Sequence, residues 1–347
     1  MLANRRSSGT HVVTRSIAAL LALAAANAAG GATAGKSAPG NPSTGAAQPW
    51  PIKPIRFIVP FPPASSTDAA ARVVTQRLGE ALAQQVVIDN RAGASGSIGC
   101  EMAARATPDG YTLVLGTAST HAVAVSVNPH LRYDPLRDFA PISLIGSAPY
   151  VLAVNPALAA NSVQELVALA KAKPGQLSYA SAGNASVAHL AGELFATMAG
   201  VKLNHIPYKS SALSVVDVMS GRIEMQFGSI SPTLPHIRSG RLRALAVTGA
   251  TRLNHLPEVP TIAQSGYRGY EVALWMGILA PAATPPAIVA RLNREVTAVL
   301  RTAEISDALV AQGIDPGPNT PMAFATHIRN EIAKWRKVVT AAGITAE

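Results

Sequence analysis

The 347-residue chain is long enough for two domains of ordinary size. Its formal charge of +10 favours anionic partners, but the basic residues are scattered and do not alternate with aromatic residues, which argues against a nucleic-acid-binding surface. The single cysteine, Cys100, excludes an internal disulfide.

The N-terminal segment differs from the rest because residues 1–50 contain no Asp or Glu. Three arginines precede the apolar run 17–26, and small residues follow, a pattern typical of a secretory signal. We predict a signal peptide over residues 1–29, cleaved near Ala28 or after residues 32–34, with an uncleaved anchor as the alternative. Residues 30–49 are rich in Gly, Ala, Pro, Ser and Thr, which predicts a disordered linker.

No later run of about eighteen apolar residues is present, so we expect an exported, soluble protein in the periplasm. From residue 55 onward, short apolar runs alternate with segments of helical period. The first series predicts strands over 55–60, 86–89 and 112–116, with helices over 67–85 and 98–105. This alternation with short turns indicates parallel strand pairing in an α/β domain.

A second series starts with a strand over 150–155 and a helix that Ser162 and Glu165 open as a capping box. The remaining predicted elements are strands over 177–180, 223–227, 243–248 and 272–279, a helix over 186–198, and helices starting at Pro285–Pro286 and Thr320–Pro321. We therefore predict two α/β domains, one formed by residues 50–148 and 250–347 and the other by residues 149–249.

Four strand-to-helix loops are rich in Ser, Thr, Gly and Asn, namely residues 60–68, 90–99, 116–121 and 181–186. Helix N-termini offer unpaired N–H groups and the positive end of the helix dipole to a carboxylate, and ligands bind at the carboxyl ends of strands in open sheets. Helix capping without any ligand is the alternative interpretation of each single loop. Four such loops in two units together predict a cleft of neutral hydrogen-bond donors for a small anion.

Catalytic and metal sites find little support in the sequence. No nucleophile elbow is present, no histidine pair has the i, i+4 spacing of a metal-binding helix, and no close carboxylate pair stands out. Cys100 is expected to be a packed thiol, and His121, His189 and His205 are expected to be structural. We predict a protein without cofactor, metal or enzymatic activity.

Several motifs resemble the tripartite tricarboxylate transporter receptors, the Bug family. They are Trp50–Arg56, Ile58–Pro63 with Thr67–Asp68, Asn90–Arg91 with Gly93–Ala94, Pro108–Leu113, Tyr133–Pro135, Asp138–Pro141, Tyr179–Asn184, His189–Glu193, Pro207–Lys209, Leu234–Ile237 and Leu256–Thr261. The resemblance covers residues 50–342. It implies a type II-like periplasmic-binding-protein clamshell, a Venus flytrap of two α/β domains, with the ligand in the cleft between them.

The resemblance also implies a binding site for a di- or tricarboxylate or an aromatic acid, in which loops 64–68 and 117–120 hold one carboxylate. The candidate ligand-binding residues, from the loops and the resemblance together, are Ala64, Ser65, Ser66, Thr67, Asp68, Ala94, Ser95, Thr117, Ser119, Thr120, Ser181, Asn184, Ser186, Tyr208 and Ser229.

This chain departs from the family pattern in the binding loops. Ala64–Ser65, Ala185 and Ser210 stand where the family commonly has glycine, and Gly228 stands where it often has an acidic residue. Because glycine permits a positive φ, the carboxylate loop is expected to keep its path but to bind a different acid or to bind more weakly. The missing acidic residue argues against an amino-acid ligand.

The predicted function is a monomeric periplasmic receptor that captures a small carboxylate and delivers it to the membrane subunits of a tripartite tricarboxylate-type transporter. The alternatives are a sensing module that signals to a membrane sensor kinase and, with less support, a periplasmic hydrolase.

Overall fold

Strands and helices alternate along the described part of the chain, residues 50–344 of a computed structural model. The predicted signal peptide and the predicted linker lie outside these residues. The strands are β1 (Ile55–Val59), β2 (Val86–Asn90), β3 (Thr112–Thr117), β4 (Phe139–Val154), β5 (Ser178–Ser181), β6 (Asn204–Pro207), β7 (Met225–Ser229), β8 (Arg243–Val247), β9 (Ala273–Pro281) and β10 (Asp315–Pro316).

The α-helices cover the faces and ends of these strands. They are α1 (Ser66–Leu82), α2 (Ser97–Ala104), α3 (Ala124–Val127), α4 (Val163–Ala172), α5 (Val187–Ala199), α6 (Ser211–Met219), α7 (Ile230–Arg238), α8 (Pro286–Leu300), α9 (Ala303–Ala311) and α10 (Pro321–Ala342). A 3-10 turn, Ala94–Gly96, precedes α2, and a π-helical turn, Ser119–Val123, precedes α3.

The strands form one mixed sheet in the order β2-β1-β3-β9-β4-β7-β5-β6, with β8 and β10 paired to β4. Parallel pairing, as predicted, joins β1 to β2 and β3, and joins β5 to β6 and β7. The strands β9, β4, β7 and β8 form antiparallel pairs, which the alternation of elements did not predict.

Strand β4 links two halves of the molecule. Its segment 139–149 pairs with β9, and its segment 150–154 pairs with β7 and β8. We call β1–β3, β9, β10 and their helices the first half, and β5–β8 with α4–α7 the second half. Buried Thr248 joins the two crossing segments, since its Oγ1 accepts from the N–H of Tyr150 at 2.7 Å and donates to the carbonyl of Val272 at 2.6 Å. The predicted domain boundaries stay a prediction.

Alternating side chains of the strands supply separate layers of core. In β4, Leu152 and Val154 pack into a core that includes both α5 and α10, whereas Val151 and Ala153 pack toward α6. Burial on both faces explains why these strands appear as continuous apolar runs in the sequence.

The end of α1 and the start of β4 differ from the bounds that the sequence predicts. Helix α1 ends at Leu82 because Ala83 adopts the left-handed conformation (φ 51°) and its N–H caps the last turn. Strand β4 begins at residue 139, eleven residues before the predicted start. Pro141 and Gly146 interrupt the strand pattern in the sequence, and the sheet accommodates them through register shifts beside each.

Candidate ligand-binding cleft

A cleft of about 700 Å³ receives loops from both halves of the molecule. The N-terminal residues of α1, α5, α6 and α7 line it. In each of these helices the residue just before the first turn is serine, namely Ser65, Ser186, Ser210 and Ser229. Because the first turns of a helix leave N–H groups without intrahelical acceptors, the positive ends of four helix dipoles lie at one cavity.

The first loop reaches the cleft with Ala64, Ser65, Ser66 and Thr67. Ser65 caps α1, since its Oγ accepts from the N–H of Asp68 at 3.2 Å while donating to the carbonyl of Pro62 at 2.8 Å. Helix capping therefore occurs in this loop, and its predicted contact with a ligand stays a prediction. Capping leaves the N–H groups of Ser66 and Thr67 at the end of the helix that lines the cleft.

Asp68 supports this loop from behind and does not line the cleft. It is 1% exposed, and its carboxylate accepts from the N–H of Ala64, from Nδ2 of Asn90 and from Nε of Arg72, all within 2.9 Å. Burial alone would raise the pKa of Asp68, but these donors outweigh burial and hold the pKa below its usual value. A carboxylate with these partners fixes the loop and has little capacity left for a ligand.

The third loop contributes Ser119, whereas Thr117 and Thr120 are fully buried. Thr120 Oγ1 accepts from the N–H of Thr117 at 3.0 Å and lies 2.9 Å from Nδ1 of His121. His121 is itself fully buried against Phe139, and burial lowers its pKa to about 3. The hydrogen bonds of these buried side chains fix the end of β3 and the start of the π-helical turn, in which Ser119 lines the cleft.

The second and fourth loops line a neighbouring cavity of about 540 Å³. Ala94 and Ser95 come from the second loop, and Asn184, Ala185 and Ser186 from the fourth. This cavity shares Phe61, Ser119, Ala182 and Ser186 with the larger cleft, so the two form one continuous groove.

Two further sequence candidates lie behind the surface of the groove. Ser181 is 1% exposed, and its Oγ lies 2.7 Å from Nε2 of His205. The Tyr208 hydroxyl donates to Asp217 at 2.6 Å. Five sequence candidates do not line the groove, since local partners satisfy their polar groups; they are Asp68, Thr117, Thr120, Ser181 and Tyr208. Their part in ligand binding stays a prediction.

The second half supplies Ser229 together with lining residues that were not on the candidate list. Ser229 Oγ lies 3.3 Å from Ser211 Oγ, and neither Ser210 nor Ser229 uses its hydroxyl to cap its own helix. The added lining residues include Lys209, Ser210, Ser211, Ser231, Leu274, Met276 and Gln312. Lys209, Ser210, Ser211 and Ser231 lie next to the candidates Tyr208 and Ser229 in the chain, but no sequence signal pointed to Leu274, Met276 or Gln312.

A single charge lines the larger cleft among the described residues, the Lys209 ammonium group, and no Asp or Glu lines it there. Lys209 is exposed and has no carboxylate within ion-pair distance in the described chain. With four helix N-termini, this makes the cleft favourable to anions.

Backbone conformation shows how the loops tolerate residues other than glycine. Ala64 (φ 62°) and Ala185 (φ 53°) adopt the left-handed region, whereas Ser65 (φ −69°) and Ser210 (φ −164°) are extended and need no glycine. The two alanines thus adopt a backbone conformation that suits glycine, at a cost of roughly 1 kcal/mol or more each.

Gly228 lies behind the groove as part of β7. A Cβ atom at this position would lie 2.6 Å from Nε2 of Gln226 and 2.8 Å from Oγ1 of Thr233. Gln226 also accepts from Ser214 at 2.8 Å, which completes a buried polar network below Ser229. In this chain, therefore, the Gln226 amide and the Thr233 hydroxyl occupy the space that an acidic side chain at position 228 would need.

The part of the chain that the structure describes contains no reactive thiol and no cluster of metal ligands. The Cys100 thiol is buried, and burial raises its pKa to about 12, so it stays protonated. Residues 50–344 contain no group of three His, Cys, Asp or Glu side chains arranged to hold a metal ion. Over the same residues, no helix combines the length and apolar character needed to cross a membrane.

Comparison with known proteins identifies relatives along most of the chain. The family model of the tripartite tricarboxylate transporter family receptor matches residues 70–344. Protein BugT of Bordetella pertussis is 41% identical over 313 residues, covering 90% of this chain and 94% of that protein.

Two solved structures share the fold and were determined with carboxylates. Rpa4515 of R. palustris with adipate is 38% identical, with a TM-score of 0.73 over 85% of this chain and 99% of that one. MatC from Rhodopseudomonas palustris with bound malate is 29% identical, with a TM-score of 0.70 over 84% of this chain and 100% of that one. With its α/β fold of the periplasmic-binding-protein type and a family match over residues 70–344, the chain belongs to the tripartite tricarboxylate transporter family receptors, the Bug family.

Proposed function

We propose that this protein is a periplasmic receptor that captures a small dicarboxylate in the cleft and delivers it to a tripartite tricarboxylate-type membrane transporter. The observation that carries the proposal is the meeting of four helix N-termini at one cleft that contains a lysine and, among the described residues, no carboxylate. Neutral hydroxyl and N–H donors hold an anion without the desolvation cost of a buried ion pair.

The distribution of donors favours two carboxylates. Ser66, Thr67 and Ser119 belong to the first half, while Lys209 and Ser211 belong to the second. A ligand with an anionic group at each end gains contacts from both halves, and each half then stabilises the closed form. The adipate and malate bound by the two relatives have this chemistry.

The same arrangement does not support hydrolysis. Within residues 50–344, two hydroxyl–imidazole pairs are close, Ser181–His205 at 2.7 Å and Thr120–His121 at 2.9 Å. Both hydroxyl-bearing residues are buried, at 1% and 0% exposure, so a substrate does not reach their oxygens. A receptor without catalysis is therefore the better interpretation, and an assay that detects turnover of esters or amides would contradict it.

A thermal-shift screen tests the binding proposal. The purified protein is unfolded and refolded to remove carried-over ligand, then heated with adipate, malate, citrate, benzoate, glutamate and the neutral diamide of adipate. We expect dicarboxylates to raise Tm and adipamide to leave it unchanged, since ligand at a hundredfold excess over Kd stabilises by about 2.7 kcal/mol. If no acid raises Tm, the binding proposal fails.

Uptake is tested separately in cells. Deleting the gene should abolish uptake of the labelled acid found in the screen, and restoring the gene should recover it. Normal uptake combined with a lost transcriptional response to the acid would favour the sensing alternative.

A further inference from the structure

A pair of histidines lies directly behind the fourth loop, residues 181–186. His189 is in the first turn of α5 and His205 is in β6. Their rings are stacked, with centroids 3.7 Å apart and planes 6° from parallel. Tyr179 of β5 packs on the same pair, with its ring 5.0 Å from that of His205.

Each imidazole bonds to one end of the loop. Nδ1 of His189 accepts from the N–H of Ala185 at 3.0 Å. Nε2 of His205 lies 2.7 Å from Oγ of Ser181, and this hydroxyl also bonds to the backbone of Gly183. The end of β5 and the entry to α5 are thereby joined to one rigid aromatic stack.

The proton positions follow from these partners. Since Nδ1 of His189 accepts a hydrogen bond, its proton is on Nε2, which faces Oε1 of Glu193 at 3.7 Å. The Tyr179 hydroxyl donates to the same carboxylate oxygen at 2.6 Å. Burial lowers the pKa of both His189 and His205 to about 4, so both rings are neutral at neutral pH.

The bond to His189 falls on the strained residue of the loop. Ala185 adopts φ 53°, a conformation that non-glycine residues maintain only when the surroundings hold them there. Ala185 and its neighbours Asn184 and Ser186 line the groove. The hydrogen bond from the N–H of Ala185 to Nδ1 therefore holds the residue at which the loop would otherwise relax. Without this bond, the loop would leave the conformation in which it lines the groove.

We propose that His189 and His205 are positioning residues for ligand binding, which hold the loop 181–186 in its binding conformation, with Nδ1 of His189 as the decisive acceptor. This inference rests on the proposed function of the groove. The loop order itself is a property of the ligand-free protein and can be measured without any ligand.

Two amide substitutions separate this role from simple packing. In His189→Asn, the side-chain oxygen takes nearly the position of Nδ1 and can accept from Ala185, whereas His189→Gln places its amide near the position of Nε2. We expect His189→Asn to bind adipate within about threefold of the original protein and His189→Gln to bind it at least tenfold more weakly. His130→Leu, an exposed histidine outside the groove, is the control and should change nothing.

Amide hydrogen exchange at Ala185 gives the second readout, in protein without ligand. The exchange rate should stay low in His189→Asn and rise at least tenfold in His189→Gln. Equal exchange and equal adipate affinity in the two variants would overturn the inference. If the original protein binds neither adipate nor any other acid, the proposed function fails, and the exchange rates alone decide whether His189 orders the loop.

Discussion

Lys209 carries the charge that lines the cleft in the described chain, and it belongs to the half opposite Ser66 and Ser119. In the proposed complex, Lys209→Met removes a charge-assisted hydrogen bond to one carboxylate. We expect adipate affinity to fall about tenfold, or ~1.4 kcal/mol, while benzoate, which has one carboxylate, binds as before. Isothermal titration calorimetry measures both.

The control for this variant is Lys202→Met, which removes an exposed lysine of the same half that does not line the cleft. The two variants have the same net charge, so a general electrostatic effect would lower the affinity for adipate equally in both. Equal weakening would show that Lys209 attracts anions only at long range.

Ala64 and Ala185 store backbone strain in the first and fourth loops because both have a positive φ, as Ala94 and Ser95 do in the second loop. We expect Ala64→Gly and Ala185→Gly each to raise the free energy of unfolding by about 1 kcal/mol, since relief of strain exceeds the extra entropy that glycine gives the unfolded chain. Urea unfolding measures the change.

The matched control is Ala298→Gly, at an exposed position inside α8. There, glycine should lower the free energy of unfolding by about 1 kcal/mol because it weakens a helix interior. Destabilisation at position 64 or 185 of the same size as at 298 would contradict the strain argument.

At the scale of elements, the helix N-termini serve both folding and binding. Ser65 caps α1 at the cleft, and Thr320 caps α10 outside it, with Oγ1 accepting from the N–H of Ala323 at 3.2 Å. Aspartate caps a helix about as well as serine does, but it adds a negative charge. The two caps can therefore be used to separate stability from ligand affinity.

We predict that Ser65→Asp retains the Tm of the ligand-free protein within a few degrees. The same variant should lower the affinity for adipate at least tenfold, because the new carboxylate repels the ligand at the end of α1. Thr320→Asp should retain both Tm and affinity. A Ser65→Asp protein that binds adipate normally would show that α1 does not hold the carboxylate.

At the scale of the whole molecule, β4 and α10 tie the two halves together. The largest core cluster contains Tyr179 and Phe195 of the second half as well as Phe324 and Trp335 of α10. Histidines pack against this shared core. The difference in the number of bound protons between the folded and the unfolded chain therefore depends on the whole fold.

Stability should fall as the pH drops from 6.5 toward 4. Burial lowers the pKa to about 3 for His121 and to about 4 for His189 and His205, below the unfolded value of 6.5. The unfolded chain thus binds protons that the folded chain does not, and each of these histidines costs up to about 1.4 kcal/mol per pH unit in this window. Burial also lowers the pKa of His327, which adds to the trend, whereas burial raises the pKa of Asp315, which opposes it.

Urea unfolding at pH 7.5, 6 and 5 measures this dependence. We expect little change above pH 7 and a progressive loss below 6.5. His189→Asn, which retains the loop bond, should have a smaller pH slope than the original protein. A flat profile would show that the histidines become protonated without unfolding.

Some features of the site follow from local sequence and others do not. Ser65, Ser186 and Ser229 line the groove because a serine between a strand and a helix reaches the carboxyl edge of the sheet, and their contact with a ligand stays a prediction. Thr117 and Ser181 have the same local signature, yet their hydroxyls turn to partners inside the fold. The choice between a ligand and a local partner depends on side-chain direction, which local sequence does not encode.

By itself, the sequence determined the α/β alternation, the apolar strands, the capped starts of α4 and α10, and the family to which the chain belongs, because periodicity, capping and motif order are local properties. Only the tertiary structure decided the antiparallel strands, the union of four helix N-termini at one cleft, the place of Lys209 in it and the histidine stack behind it. These depend on contacts between residues that are not neighbours in the chain, and the cleft in particular exists only once β4 has brought the two halves together.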